Sequence, residues 1–227
     1  MLFGMARART STHRHAANTS RAEHLTLMAA LFKTLSDPSR LQILMELRDY
    51  DEVCVGDLAA WTGISESAVS HALRLLRAYG IVDELNSHIG IALAGELPDA
   101  LHAPLARVQN ELFDVGADLS VPYAGTDERL RTTQAMIDGL EGLCDEHNAA
   151  LPELKSFVLP GGTEAAARLH VARTVARGAE IAALEADVNP LARVYLNRVS
   201  DLLFILARAA NALADRDEPL WRPGAQP

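Results

Sequence analysis

Arg173, Arg177 and Glu180 fall at steps of four and three residues, so one helix would carry two guanidiniums and a carboxylate on one face. Planar guanidinium forks match phosphate oxygens two at a time, which makes this face suited to a polyphosphate. Asn197 and Asp201, four apart, share a face of the next helical stretch. Around residues 55–73, two short helical segments meet at Thr62-Gly63 with Ser65 as the following cap, the pattern of a helix-turn-helix.

The elements that must position these groups are helical. Hydrophobic residues make up 49% of the 227 residues but aromatics only 5%, and almost no stretch alternates apolar with polar. An apolar period begins at His24 and runs through Leu27, Leu31 and Leu35, and Pro38 opens a second helix. A third covers about 55–61. A fourth starts behind Ser65 and keeps one apolar stripe through Gly80, predicting a single helix over 66–93. Four more helices are expected over 99–118, 127–149, 163–186 and 190–213, with prolines at their boundaries. The fold class expected is all-α: a helix-turn-helix domain joined by a long shared helix to a five-helix bundle.

The charge is uneven. Residues 1–80 hold 9 Lys/Arg and 8 Asp/Glu, leaving 12 and 22 for residues 81–227. The front is close to neutral and the back strongly acidic, which suggests two units with different partners. The boundaries expected are an arm at 1–22, a front domain at 23–80 and a back domain at 81–227. The run 201–213 is broken by Arg208 and Asn211, short of the roughly 20 apolar residues of a membrane span. With only two cysteines, Cys54 and Cys144, a soluble, cytoplasmic protein without a disulfide framework is expected.

The strings Leu35-Ser-Asp-Pro-Ser-Arg40-Leu-Gln-Ile-Leu44, Cys54-Val-Gly-Asp-Leu-Ala59, Gly63-Ile-Ser-Glu-Ser-Ala-Val-Ser-His71 and Leu73-Arg-Leu-Leu-Arg77 resemble the ArsR/SmtB family of metal-sensing repressors. The resemblance implies that Ser65, Ser67, Ser70, His71 and Arg74 face operator DNA in the major groove. It also implies a site for Zn or a related divalent metal, built from Cys54 and Asp57 with His13 and His15 of the arm. The wing of that family is missing, and Asp83-Glu84-Leu85-Asn86 stands in its place, two carboxylates where phosphate would lie.

From Ala78-Tyr-Gly-Ile-Val-Asp-Glu-Leu-Asn-Ser-His-Ile-Gly90 onward, the chain resembles PduO-type ATP:cob(I)alamin adenosyltransferases. Further matching strings are Gln109-Asn-Glu-Leu-Phe-Asp-Val-Gly-Ala117, Lys155-Ser-Phe-Val-Leu-Pro-Gly-Gly162, Leu169-His-Val-Ala-Arg173-Thr-Val-Ala-Arg177, Tyr195-Leu-Asn-Arg-Val-Ser-Asp201-Leu-Leu-Phe204 and Leu220-Trp-Arg-Pro-Gly224. The resemblance implies transfer of the 5′-deoxyadenosyl group from ATP, with Mg, to cobalamin in a homotrimer. Arg173 would pair with Asp83 across a subunit interface, Arg177 would hold phosphate, and Asn197, Glu180 and Asn86 would complete the nucleotide site. Phe157 would cover the lower face of the corrin. The family's glycine-bearing Thr-Arg-Thr-Gly-Asp-x-Gly loop is missing, and Gly178 and Ile181 stand where further arginines are usual.

Both families suit Leu76-Arg-Ala-Tyr-Gly-Ile-Val82, as a fusion of two genes at similar short sequences would leave it. Three functions remain open: an adenosyltransferase carrying a passenger domain, a corrinoid-, nucleotide- or metal-responsive DNA-binding regulator that uses the bundle as sensor, and an inactive fusion.

Overall fold

The computed structural model describes residues 37–50, 52–120, 123 and 130–224. The expected arm and the expected helix from His24 lie outside them. Helix α1 is Pro38–Asp49, α2 Val55–Thr62, α3 Glu66–Leu93, α4 His102–Leu119, α5 Gln134–Asn148, α6 Glu164–Glu185 and α7 Pro190–Leu213. One 3-10 turn, Asp99–Leu101, leads into α4. Among the described residues the only β pairing is a single antiparallel bridge between Val158 and Leu220. No helix there is long and apolar enough to cross a membrane.

The caps explain the boundaries. Asp37 accepts from the Ser39 and Arg40 amides at 3.0 Å, and Pro38 occupies the first turn of α1, where its missing N–H costs nothing. Gly63 ends α2 in the left-handed region at φ 72° and donates its N–H to Ala59 O, a conformation that excludes most side chains. Two residues later Ser65 accepts from Ala68 N and starts α3. The 28-residue α3 runs unbroken through Gly80, as its apolar stripe predicts.

That one helix serves two cores. Its first turns, with Val69 and Ala72, close a small cluster against Ile43 of α1 and Leu58 of α2. From Leu75 onward it belongs to the large core shared with α4, α5, α6 and α7. Helix α6 packs on both α3 and α7, and its buried face is mostly alanine: Ala165, Ala166, Ala172, Ala176, Ala179, Ala182 and Ala183. Small side chains at the contact let helix axes approach closely. The antiparallel register between α3 and α6 is shown by Arg77 meeting Glu185 at 3.0 Å at one end and Arg168 Nη1 meeting Ile91 O at 2.7 Å at the other.

One expected boundary shifts. The helix expected from 127 begins at Gln134, because Thr133 is extended and caps it by accepting from Met136 N. The preceding residues serve a buried node. The Asp118 carboxylate at the end of α4 accepts from Arg131 Nη1 at 2.6 Å, Thr132 N at 2.8 Å and Asn189 Nδ2 at 2.8 Å. Next to it, buried Arg40 of α1 donates to Ser120 O at 2.8 Å, joining the front helices to the bundle.

Candidate active site

The two arginines and the acid predicted on one face belong to α6, and they behave differently from one another. Glu180 accepts from Asn197 Nδ2 of α7 at 3.1 Å through Oε1 and meets Arg177 Nη1 at 2.5 Å through Oε2. A continuous polar chain Arg177–Glu180–Asn197 thus spans two helices. The guanidinium of Arg177 is about half exposed, with side-chain accessibility 49%, so it can still meet an anion. Asp201 is not in this chain: it pairs with Arg198 Nη1 at 2.8 Å, one turn away on its own helix.

The α3–α6 register sets Asp83 and Asn86 level with Arg177 and Arg173. Asp83 is exposed, and Asn86 is buried to 6% accessibility. Both line a narrow cleft between α3 and α4 with Tyr79, Val82, Leu112 and Phe113. Among the described residues Arg173 and Asp83 form no ion pair within the chain. Buried polar atoms at this level lack hydrogen-bond partners: Arg173 Nε, Asn86 Oδ1 and both ring nitrogens of His170. An orphaned buried polar group costs about 1–3 kcal/mol, so each of these atoms calls for a partner from water, a ligand or another chain.

His170 carries no signal in residue type or spacing beyond lying one turn before Arg173, and the candidate set omits it. It is 2% exposed and sits edge-on to Phe204 of α7 at 6.1 Å. Burial, then the neighbouring Arg173 charge, lowers its pKa from the ordinary histidine value, favouring the neutral ring.

Phe157 lies outside the bundle core, on the loop between α5 and α6, and is 74% exposed. Its ring meets Trp221 edge to face at 5.8 Å. The backbone there pairs with the C-terminal tail: Trp221 N donates to Phe157 O at 2.8 Å and Leu159 N to Pro219 O at 2.7 Å. Ser156 Oγ donates to Trp221 O. Beside this arm is a groove of about 1000 Å³, walled by Leu151–Ser156, Arg208 and residues 216–222. This solvent-exposed aromatic pair, one ring on the loop and one on the tail bonded to it, is an apolar surface of the kind ligands meet.

At the front, Ser65 is used as the α3 cap, Ser67 and Arg74 are exposed, and Ser70 and His71 are half-buried. Cys54 and Asp57 do come together, but on each other. Cys54 Sγ donates to Asp57 Oδ2 at 3.1 Å and accepts from Asp57 N at 3.3 Å, capping α2. Two donors are half of a tetrahedral set. No group of three or more His, Cys, Asp or Glu among the described residues is placed to hold a metal ion. His13 and His15 lie outside those residues.

Comparison with known proteins places the chain in a family. The family model described as Cobalamin adenosyltransferase matches residues 55–210, a stretch that takes in α2 as well as the bundle. A corrinoid adenosyltransferase of Mycobacterium tuberculosis is 51% identical over 173 residues, covering 72% of this chain and 88% of that protein. A cobalamin adenosyltransferase of Cupriavidus metallidurans is 41% identical over 171 residues, covering 72% and 90%. A solved structure of a variant PduO-type ATP:corrinoid adenosyltransferase from Lactobacillus reuteri, complexed with cobalamin and ATP, superposes with a TM-score of 0.60 at 35% identity. That match covers 66% of this chain and 86% of the solved one. On the family match and these identities, the chain belongs to the cobalamin adenosyltransferase family.

Proposed function

We propose that the chain transfers the 5′-deoxyadenosyl group of ATP to the cobalt of a reduced corrinoid. The observation that supports it most is the Arg177–Glu180–Asn197 chain, level with the orphaned Arg173 Nε and Asn86 Oδ1. In the reaction the cobalt(I) electron pair attacks C5′ of the ribose. A Co–C bond forms, the C5′–O bond breaks, and triphosphate leaves with that bond's electrons. The nucleophile is supplied by the substrate, so the protein has to align reactants and stabilise the departing negative charge.

Arg177 holds the triphosphate, and Glu180 orients its guanidinium so that the fork is aimed before substrate arrives. Asn197 locks Glu180 from the neighbouring helix and seats the nucleotide. Arg173 pairs with Asp83 of a second copy in a homotrimer, which would satisfy the Nε left alone within one chain. Mg enters with the phosphates as their counter-ion. Phe157 lies against the lower face of the corrin and excludes an axial ligand. A cytoplasmic location fits a reaction that consumes ATP.

The front is read separately. The domain bounds expected from the sequence, 23–80 for an ArsR-like unit and 81–227 for the adenosyltransferase bundle, place α1, α2 and the first turns of α3 in the former. Ser67 and Arg74, exposed on the first turns of α3, are what this unit offers operator DNA.

The test is an assay of the full chain with reduced cobalamin, ATP and Mg, following the Co–C product by visible absorbance. Product is expected, with Arg177→Met losing roughly 100-fold in kcat/KM for ATP, the scale of one preorganised charged donor. Absence of product while the corrinoid is bound would refute the proposal.

A further inference from the structure

We propose that Arg208 is a positioning residue that sets the corrin-facing aromatic Phe157 by clamping the C-terminal tail, an inference that rests on Phe157 meeting the corrin. Arg208 is 3% exposed and lies on α7, outside every group assigned above. Its fork makes three contacts. Nε donates to Glu218 Oε1 at 2.9 Å, Nη2 to Glu218 Oε2 at 3.3 Å, and Nη2 also to Pro152 O at 2.7 Å. One buried guanidinium therefore ties the start of the Phe157 loop and the tail to the same point on α7.

One turn further on, Asn211 ties the other end of the loop. Its Nδ2 donates to Gly161 O at 3.1 Å, and its Oδ1 accepts from Thr163 N at 2.8 Å. Arg216 N, in the tail, donates to Asn211 O at 2.9 Å. Between these anchors Phe157 has little support of its own. Its side chain is mostly in solvent, and its contacts are the Trp221 ring and the backbone pairing with residues 219–221. The aromatic platform is therefore as rigid as the tail, and the tail is held by Glu218 on Arg208. Lysine cannot reproduce this, because a single ammonium lacks the planar fork that meets a carboxylate twice and a carbonyl besides.

The experiment compares the full chain with Arg208→Lys, Glu218→Gln and Phe157→Ala. Each is assayed with cobalamin and ATP, and the spectrum of cobalt(II) cobalamin bound with ATP is recorded to report loss of the lower axial ligand. A displacement of about 1 Å can cost roughly 100-fold. Arg208→Lys is expected to raise KM for the corrinoid roughly tenfold or more and to remove the axial-ligand-free signal, with KM for ATP within about twofold. Glu218→Gln keeps an acceptor for Nε and shows the same change, smaller. A folded Arg208→Lys with unchanged corrinoid KM and spectrum, while Phe157→Ala loses both, overturns the clamp alone. Should Phe157→Ala also keep both, the corrin-facing reading of Phe157 falls, and the clamp with it. If Arg208→Lys does not fold, Glu218→Gln decides: an unaltered corrinoid KM and spectrum overturn the proposal.

Discussion

Replacing Asp118 by Asn is the sharpest test of how the bundle is held. The carboxylate side chain is fully buried, and three donors converge on it: the Arg131 guanidinium, the Thr132 amide and the Asn189 side-chain amide. An asparagine offers one acceptor oxygen and two donor hydrogens to three donors, so at least one partner is left facing an N–H. The Arg131 guanidinium, 13% exposed, also loses its ion pair with this carboxylate. Breaking a buried pair costs about 3–5 kcal/mol, and the residual exposure of Arg131 places this one near about 3. For a chain of this size that lowers Tm by roughly 6–12 °C. Thermal and urea melts of the variant against the parent measure it, with an unchanged urea slope showing that the unfolded state is not responsible. The node also carries Asn189, whose side chain accepts from Leu191 N to cap α7, so Asn189→Ala combined with Asp118→Asn should be strongly non-additive. A Tm drop under about 2 °C would refute the account of this cluster as a stabilising node.

Two further outcomes follow from local chemistry. Cys144 is half-buried, and burial first, then the Asp201 charge, pushes its thiol up to about 11, whereas Cys54 is exposed. Iodoacetamide at pH 8 should therefore modify Cys54 well before Cys144, whose thiolate fraction is then about 0.001, and peptide mass mapping that found Cys144 modified first would contradict this. Gly162 sits at φ 97°, and a Cβ there would collide with the Asn211 side chain. Gly162→Ala should cost about 1–3 kcal/mol and release the loop bonds of Asn211, seen as a lower Tm with faster proteolysis of the 150–162 loop; an unaltered melt would count against it.

The helices were legible because their signals are local. Asp37-Pro38, Ser65 and Asn189-Pro190 start helices at the expected places, since a cap depends on groups two or three residues away. Arg177 and Glu180 were placed on one face by spacing alone. The partner of Asp201 was not, because i,i+4 spacing to Asn197 says nothing of Arg198 three residues back, which takes the carboxylate. The start of α5 was misjudged for a similar reason: Arg131 and Thr132 are claimed by Asp118, more than ten residues earlier. Cys54 and Asp57 do meet, but a thiol at a helix N-terminus finds its first partner in the cap.

By itself the sequence determined an all-helical chain, the long α3 through Gly80, and the ordered strings that resemble the adenosyltransferase family. It did so because helical period, caps and motif spacing are written within a few residues. Only the tertiary structure decided which of those residues act as one unit. It set Glu180 between Arg177 and Asn197, left His170 buried without a hydrogen-bond partner, and brought Arg208, Glu218 and Pro152 to one point. These contacts join residues 10 to 56 positions apart. Such pairings depend on how helices and loops stack, which no local spacing encodes.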